Sequence, residues 1–230
     1  MHPLDNPFWF SLVGPQQAWS QGNDLARRYP PEVAPFAALR EPSPEAWAAL
    51  AGLLEPAEGV ALFGPESYQP PGGWTTLTTF PILQLIHGGA ALPNRLPTAD
   101  PVLLRPEDTA AMQALVGLTR PGPFAPRTPE LGEYFGVWEG GQLIALAGER
   151  AHLAGFCEVS AVCVDPRAQG RGLGAVVVER VMGGILERGE LPFLHVALDN
   201  AAARRLYLRL GFEERAQLQG TVVQRPSLSE

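Results

Sequence analysis

The chain has 230 residues, 46% hydrophobic and 18% charged, with a net charge of −7, which is the profile of a globular chain forming one large or two small domains. All 17 basic residues are arginine, and they form no basic run or patch, which argues against a nucleic-acid partner. No apolar stretch approaches the ~18 residues of a membrane span.

The N-terminus, Met1-His2-Pro3-Leu4-Asp5, has neither a basic n-region nor an apolar h-region, so no signal peptide is expected and the chain reads as cytoplasmic. Residues 1–99 are proline-rich. Ser43-Pro44-Glu45 predicts a helix start, with Trp47, Leu50 and Leu54 as its apolar stripe and Glu55-Pro56 as its stop. Val60 to Phe63 predicts a short strand, and Trp74 to Ile86 predicts strand material interrupted at Pro81. His87-Gly88-Gly89 reads as a strand-end turn. Leu92 to Pro101 has linker composition, which divides the chain into an N-terminal accessory α/β module over 1–99 and a second domain over 100–230.

Val102 to Arg105 predicts a strand, and Pro106-Glu107-Asp108-Thr109 starts a helix carrying Met112, Leu115, Val116 and Leu118. A loop with four prolines spans 121–129, and its Arg127 reads as a surface residue. Tyr134 to Trp138, Glu139-Gly140-Gly141 and Leu143 to Ala147 make a hairpin by their turn chemistry. Phe156 to Val164 is the next strand, ended by Asp165-Pro166. Cys157 and Cys163 lie in it six apart, on one face if the strand is regular, and read as buried thiols in a reducing compartment. With four scattered histidines they show no metal spacing, so no metal is expected. Leu173, Val177, Val181 and Ile185 line a helical stripe. Phe193 to Leu198 and Phe212 to Gln224 supply the remaining strands.

Between strand and helix lies Gln169-Gly170-Arg171-Gly172-Leu173-Gly174. A strand, a glycine-rich loop and a helix start together present free backbone N–H groups to a phosphate. A P-loop would need a lysine, and the chain has none. A dinucleotide fingerprint would need G-x-G-x-x-G, but the spacing here is G-x-G-x-G. The run Gln169-x-x-Gly172-x-Gly174 resembles the R/Q-x-x-G-x-G/A acetyl-CoA signature of the GCN5-related N-acetyltransferases, the GNAT superfamily. A second stretch matches the same superfamily in order: a strand, then Asn200, Ala203, Tyr207, Gly211 and Phe212 as N-x-x-A-x-x-x-Y-x-x-x-G-F. Steps of three and four put Asn200, Ala203 and Tyr207 on one helix face.

The resemblance covers over half the chain. It implies an α/β (α+β) GNAT fold: a mixed, mostly antiparallel sheet with a splayed centre and flanking helices. The tandem layout is similar to the glycine N-acyltransferase-like branch, in which the N-terminal half is a degenerate GNAT-like module. The family implies acetyl-CoA as co-substrate and a small-molecule or peptide amine as acceptor, with no membrane partner; the oligomeric state is open, a homodimer included. Carried over, Val162, Cys163 and Val164 would pair with the pantetheine arm through their main chain. Gln169, Gly170, Arg171, Gly172, Leu173 and Gly174 would wrap the pyrophosphate, and Asn200 and Ala203 would face the cofactor. Tyr207 would be the general acid. For the base, Glu158 stands where several family members place a water-linked Glu, and burial would raise its pKa toward a useful range. His195 and ordered water are the alternatives. A non-catalytic acyl-CoA-binding module is the competing class.

Overall fold

A computed structural model describes residues 2–90 and 99–226. In chain order the elements are α1 (Pro7–Leu12), β1 (Gln21–Gly22), β2 (Ala26–Arg28), β3 (Ala37–Leu39), α2 (Pro44–Ala51), β4 (Gly59–Gly64) and β5 (Thr75–His87). There follow β6 (Val102–Leu103), α3 (Thr109–Thr119), β7 (Tyr134–Glu139), β8 (Gln142–Leu153) and β9 (Phe156–Val164). The chain closes with α4 (Leu173–Glu187), β10 (Leu191–Ala197), α5 (Ala201–Arg209) and β11 (Phe212–Gln224).

The capping chemistry read from the sequence sets the local structure. The Ser43 hydroxyl accepts from the Ala46 N–H at 3.2 Å with Pro44 next to it, and the helix then buries Ala46, Trp47 and Leu50. Gly140 and Gly141 take left-handed φ values of 57° and 77° and turn β7 back into β8.

Eight strands form one sheet in the order β4-β11-β5-β10-β9-β8-β7-β6. Every neighbouring pair is antiparallel except β9 and β10. A separate three-stranded sheet, β1-β2-β3, lies with α1 and α2. One face of the large sheet is covered by α4 and α5, with Val177, Val181, Ile185 and Tyr207 packed on Leu83, Leu85, Cys157 and Leu194. The other face is covered by α1 and the segment around Tyr29 and Phe36, and further along by α3.

Two expectations are corrected by this topology. The expected linker over 92–101 lies mostly outside the described residues, and the division at 99/100 does not separate two bodies. β4 and β5 both come from before it, and β5 lies between β10 and β11. The reason is in its side chains. Leu83 and Leu85 pack on the α4 face while Ile82 and Ile86 pack on the α1 face, so both faces are buried, as suits a central strand. The strand also runs through Pro81 without a break. β10 pairs only with Ile82 to Ile86, so Pro81 sits just where one edge becomes free, a place that tolerates a missing N–H.

Candidate active site at the splayed strands

The parallel pairing of β9 with β10 is short: Leu191 to Phe156, Pro192 to Cys157 and Phe193 to Glu158. Beyond Phe193, β10 continues along β5 and β9 continues along β8, so the two strands part. A bulge lies just past the point of parting. The β8–β9 register moves from Gly148–Ser160 to Leu146–Cys163, three residues against two, and Ala161 takes a φ of 54°. Such an extra residue bends the strand and re-aims the side chains after it. It also corrects the reading of the cysteines. Cys157 belongs to the α4-side core and Cys163 to the α3-side core, so they lie on opposite faces.

At the wide end of the gap, β9 runs into the glycine loop. The Asp165 carboxylate caps the turn, accepting from the Arg167 N–H at 2.8 Å and pairing with its guanidinium at 2.7 Å. These Arg167 hydrogen bonds hold the Asp165 pKa at about 2. Gly170 and Gly172 have φ values of 77° and 78°, which L side chains avoid, and Gly172 is the N-cap of α4. A Cβ at Gly174 would touch Leu206 at 3.4 Å and Val164 at 3.7 Å, ordinary contacts, so the chain's own packing does not require glycine there. Arg171 pairs with Glu139 at 2.5 Å, while Gln169 is exposed and Leu173 is buried. The first N–H groups of a helix have no intrahelical acceptor, so this α4 start is suited to an anion.

The opposite wall of the gap comes from β10 and α5. The Asn200 side chain accepts from the Ala203 N–H at 3.0 Å, capping α5. Asn200→Ala is expected to cost about 1 kcal/mol, read as a lower midpoint in urea unfolding. Tyr207, 7% exposed, packs its ring against Phe212 at 5.9 Å. Among the described residues its hydroxyl has no hydrogen-bond partner. Burial, with a smaller contribution from the charge of Cys163, pushes its pKa up to about 12, so it is a neutral donor at physiological pH.

Glu158 behaves otherwise than the sequence suggested. It is 1% exposed, on the face covered by α1, and Arg150 grips it with Nε at 2.9 Å and Nη2 at 2.6 Å. Its Oε1 is also 2.7 Å from His195 Nδ1. Burial opposes ionisation, but the Arg150 charge and the hydrogen bonds from His195 and Arg150 outweigh it and hold the carboxyl at about 2. The expected upward shift is therefore reversed. The His195 tautomer follows from its neighbours. Gln84 accepts from Arg215 through Oε1 and donates to the Leu4 carbonyl through Nε2, so the same amide faces His195 Nε2 as a donor at 3.0 Å. His195 Nε2 then accepts, and Nδ1–H donates to Glu158. Both nitrogens are engaged, and neither candidate base presents a free lone pair to the gap. Arg150, stacked under Phe36 at 4.8 Å, was missed in the sequence. The available signal was Arg150, beside Glu149 in a strand that is otherwise largely apolar, eight residues before an isolated Glu158.

Comparison with known proteins adds the family. The FR47-like protein family model matches residues 134–219. The crystal structure of a GNAT-family protein from Novosphingobium aromaticivorans is 39% identical, with a TM-score of 0.91, covering 99% of this chain and 100% of that one. The chain belongs to the GNAT family. A GCN5-related N-acetyltransferase from Kribbella flavida, 19% identical with a TM-score of 0.62 over 96% of this chain and 93% of that one, shares the fold. Mycothiol acetyltransferase from Mycobacterium sp. strain JLS is 40% identical over 78 residues, 32% of this chain and 26% of that protein. The chain thus matches about a quarter of the length of these curated relatives. In this GNAT member the glycine loop follows β9 where it parts from β10, and Tyr207 packs in the core that Val162, Val164 and Leu206 border. Glu158 and His195 are buried on the other face of the sheet.

Proposed function

We propose that the chain is an acetyl-CoA-dependent N-acetyltransferase that moves an acetyl group to a primary amine by direct attack in a ternary complex. The observation that carries this reading is the gap between β9 and β10, with a glycine-rich helix start at its mouth and an unpartnered phenol in its wall. Acetyl-CoA would supply the thioester as acyl donor. The unpaired edge of β9 at Val162, Cys163 and Val164 would hold the pantetheine arm by main-chain bonds, one N–H polarising the carbonyl as an oxyanion donor. The N–H groups from Gly170 to Gly174 would take the pyrophosphate. The Tyr207 hydroxyl would donate to the departing sulfur. With Glu158 and His195 bound to each other, the amine proton goes to water.

The acceptor we favour is a small-molecule or peptide amine. Placement in the glycine N-acyltransferase-like branch is supported by the long N-terminal segment that precedes the motifs and adds strands to the sheet. One observation favours a second reading, a non-catalytic acyl-CoA-binding module: the β9 carboxylate is locked in an ion pair.

The test is titration with acetyl-CoA by calorimetry, followed by thiol release with an amine panel. Gly172→Glu is expected to abolish binding, because it places a side chain at left-handed φ and a negative charge against the phosphates. Amine-dependent thiol release by the parent chain supports the enzyme. Binding without turnover on any amine selects the binding module, and no binding rejects both.

A further inference from the structure

At the end of β9 opposite the glycine loop, the β8–β9 hairpin closes through Ala154 and Gly155, and three potential ligands meet beside it. Residues 149 and 152 are three apart in a strand, which in regular pleating puts them on opposite faces. Here the β8–β9 register shifts between Glu149–Val159 and His152–Cys157, an extra residue on β8. The bulge turns Glu149 and His152 to one side, the side on which Cys157 lies directly across from His152.

His152 Nε2 is 3.4 Å from Glu149 Oε2 and 3.6 Å from Cys157 Sγ, and all three ligand atoms lie within 4.8 Å of one another. Ligand atoms held around one tetrahedral zinc ion at ordinary bond lengths are about 3.3–3.6 Å apart. By contrast, 3.4 Å is long for an N–H···O bond, and the same ring nitrogen that faces the Glu149 oxygen is hydrogen-bonded to the Cys157 sulfur at 3.6 Å, so one atom draws both other ligands together. The surroundings support the ligands as a second layer would. Arg188 Nη2 holds the other oxygen of Glu149 at 2.7 Å, the Glu133 N–H reaches Oε2 at 3.3 Å, and Arg188 Nε holds Glu190 at 3.0 Å. Space is kept by Gly132. A Cβ there would stand 2.5 Å from Glu149 Cβ and 3.0 Å from His152 Nε2.

The geometry points to a zinc site built from Glu149, His152 and Cys157, a pin across the β8–β9 hairpin. On coordination the Cys157 thiol gives its proton to water, and the thiolate and carboxylate together neutralise the ion. The fourth position falls to water or to Glu190. Six residues of β9 lie between Cys157 and Val164, about 20 Å of strand, so the ion takes no part in acyl transfer. Its binding stands or falls independently of the proposed activity.

The test uses the full chain, stripped with a chelator and titrated with Zn²⁺ and, separately, Co²⁺. The expected result is one equivalent of zinc and, with cobalt, a thiolate-to-metal charge-transfer band in the near ultraviolet. Cys157→Ser should lose the band and Cys163→Ser should keep it. Glu149→Gln, which leaves both side-chain volumes and the thiol in place, should weaken zinc at least ten-fold. Circular dichroism identifies the folded variants. Absence of zinc binding by the parent chain, or a cobalt band that survives in folded Cys157→Ser, overturns the site.

Discussion

Tyr207→Phe is expected to lower the rate of acetyl transfer by about 10²–10³-fold while leaving acetyl-CoA affinity and thermal stability almost unchanged. In barrier height that is about 3–4 kcal/mol. The substitution keeps the ring, and the ring is what packs on Phe212 and fills the core beneath α5. It removes only a hydroxyl that has no partner among the described residues, so the fold loses no hydrogen bond. A departing thiolate loses the donor that would neutralise it. Single-turnover kinetics with saturating acetyl-CoA read the effect directly. Because the phenol is held at about 12, the parent rate should not fall through Tyr207 ionisation until well above pH 10. A Tyr207→Phe variant with unchanged turnover would assign the phenol to packing alone and leave protonation of the thiolate to water.

The glycine-loop end of this site is legible in the sequence because its chemistry is local. Gly170 and Gly172 are written where the backbone needs left-handed φ, and Asn200 stands where α5 needs a cap. Loop and cap each involve residues within a few positions of one another, so spacing alone identifies them. The gap between β9 and β10 was legible only through family likeness. The bulge beside it at Ala161 follows from register between two strands, and nothing in the Val159 to Val164 run marks the extra residue.

What escaped the sequence is long-range. The environment of Glu158 is set by Arg150 across the hairpin and by His195, which is itself fixed by Gln84 on β5 and through it by Leu4 and Arg215. Those residues are spread over the whole chain. Burial alone predicts a raised carboxyl pKa, and the prediction reverses once a guanidinium is found at 2.6 Å. The same holds for the N-terminal segment. Read alone, residues 1–99 look like an accessory module, but β5 has apolar residues on both faces and so belongs inside a sheet, between β10 and β11, which lie more than a hundred residues further along the chain. The second bulge, at 150–151, hid the Glu149, His152 and Cys157 cluster for the same reason.

The reversal at Glu158 makes the largest stability prediction. Glu158→Gln should destabilise the fold by about 3–5 kcal/mol at pH 7, since it leaves the buried Arg150 charge without its partner. Arg150 sits between Phe8 and Phe36 with its side chain only 10% exposed, so little solvent is available to replace the carboxylate. The pH dependence has a definite sign. The folded-state pKa of about 2 is depressed below the ordinary 4.5, so ionised Glu158 contributes stability that is fully present above about pH 5. That contribution is lost as pH falls from there toward 2, and the gap between the two values corresponds to about 3 kcal/mol. Urea midpoints measured at pH 7 and pH 3 should therefore differ more in the parent chain than in Glu158→Gln, where this ionisation is gone. A double change, Arg150→Met with Glu158→Leu, should recover most of the loss, because apolar packing replaces a pair whose desolvation cost nearly matches its attraction. If Glu158 were instead the catalytic base, Glu158→Gln would lower kcat and leave the urea midpoint in place. The ion pair, closed over by α1 and joined through His195 and Gln84 to β5, makes the N-terminal segment a wall of the acetyltransferase sheet. On the α3 side of the gap, by contrast, Ser160 and Ala161 are only half-buried.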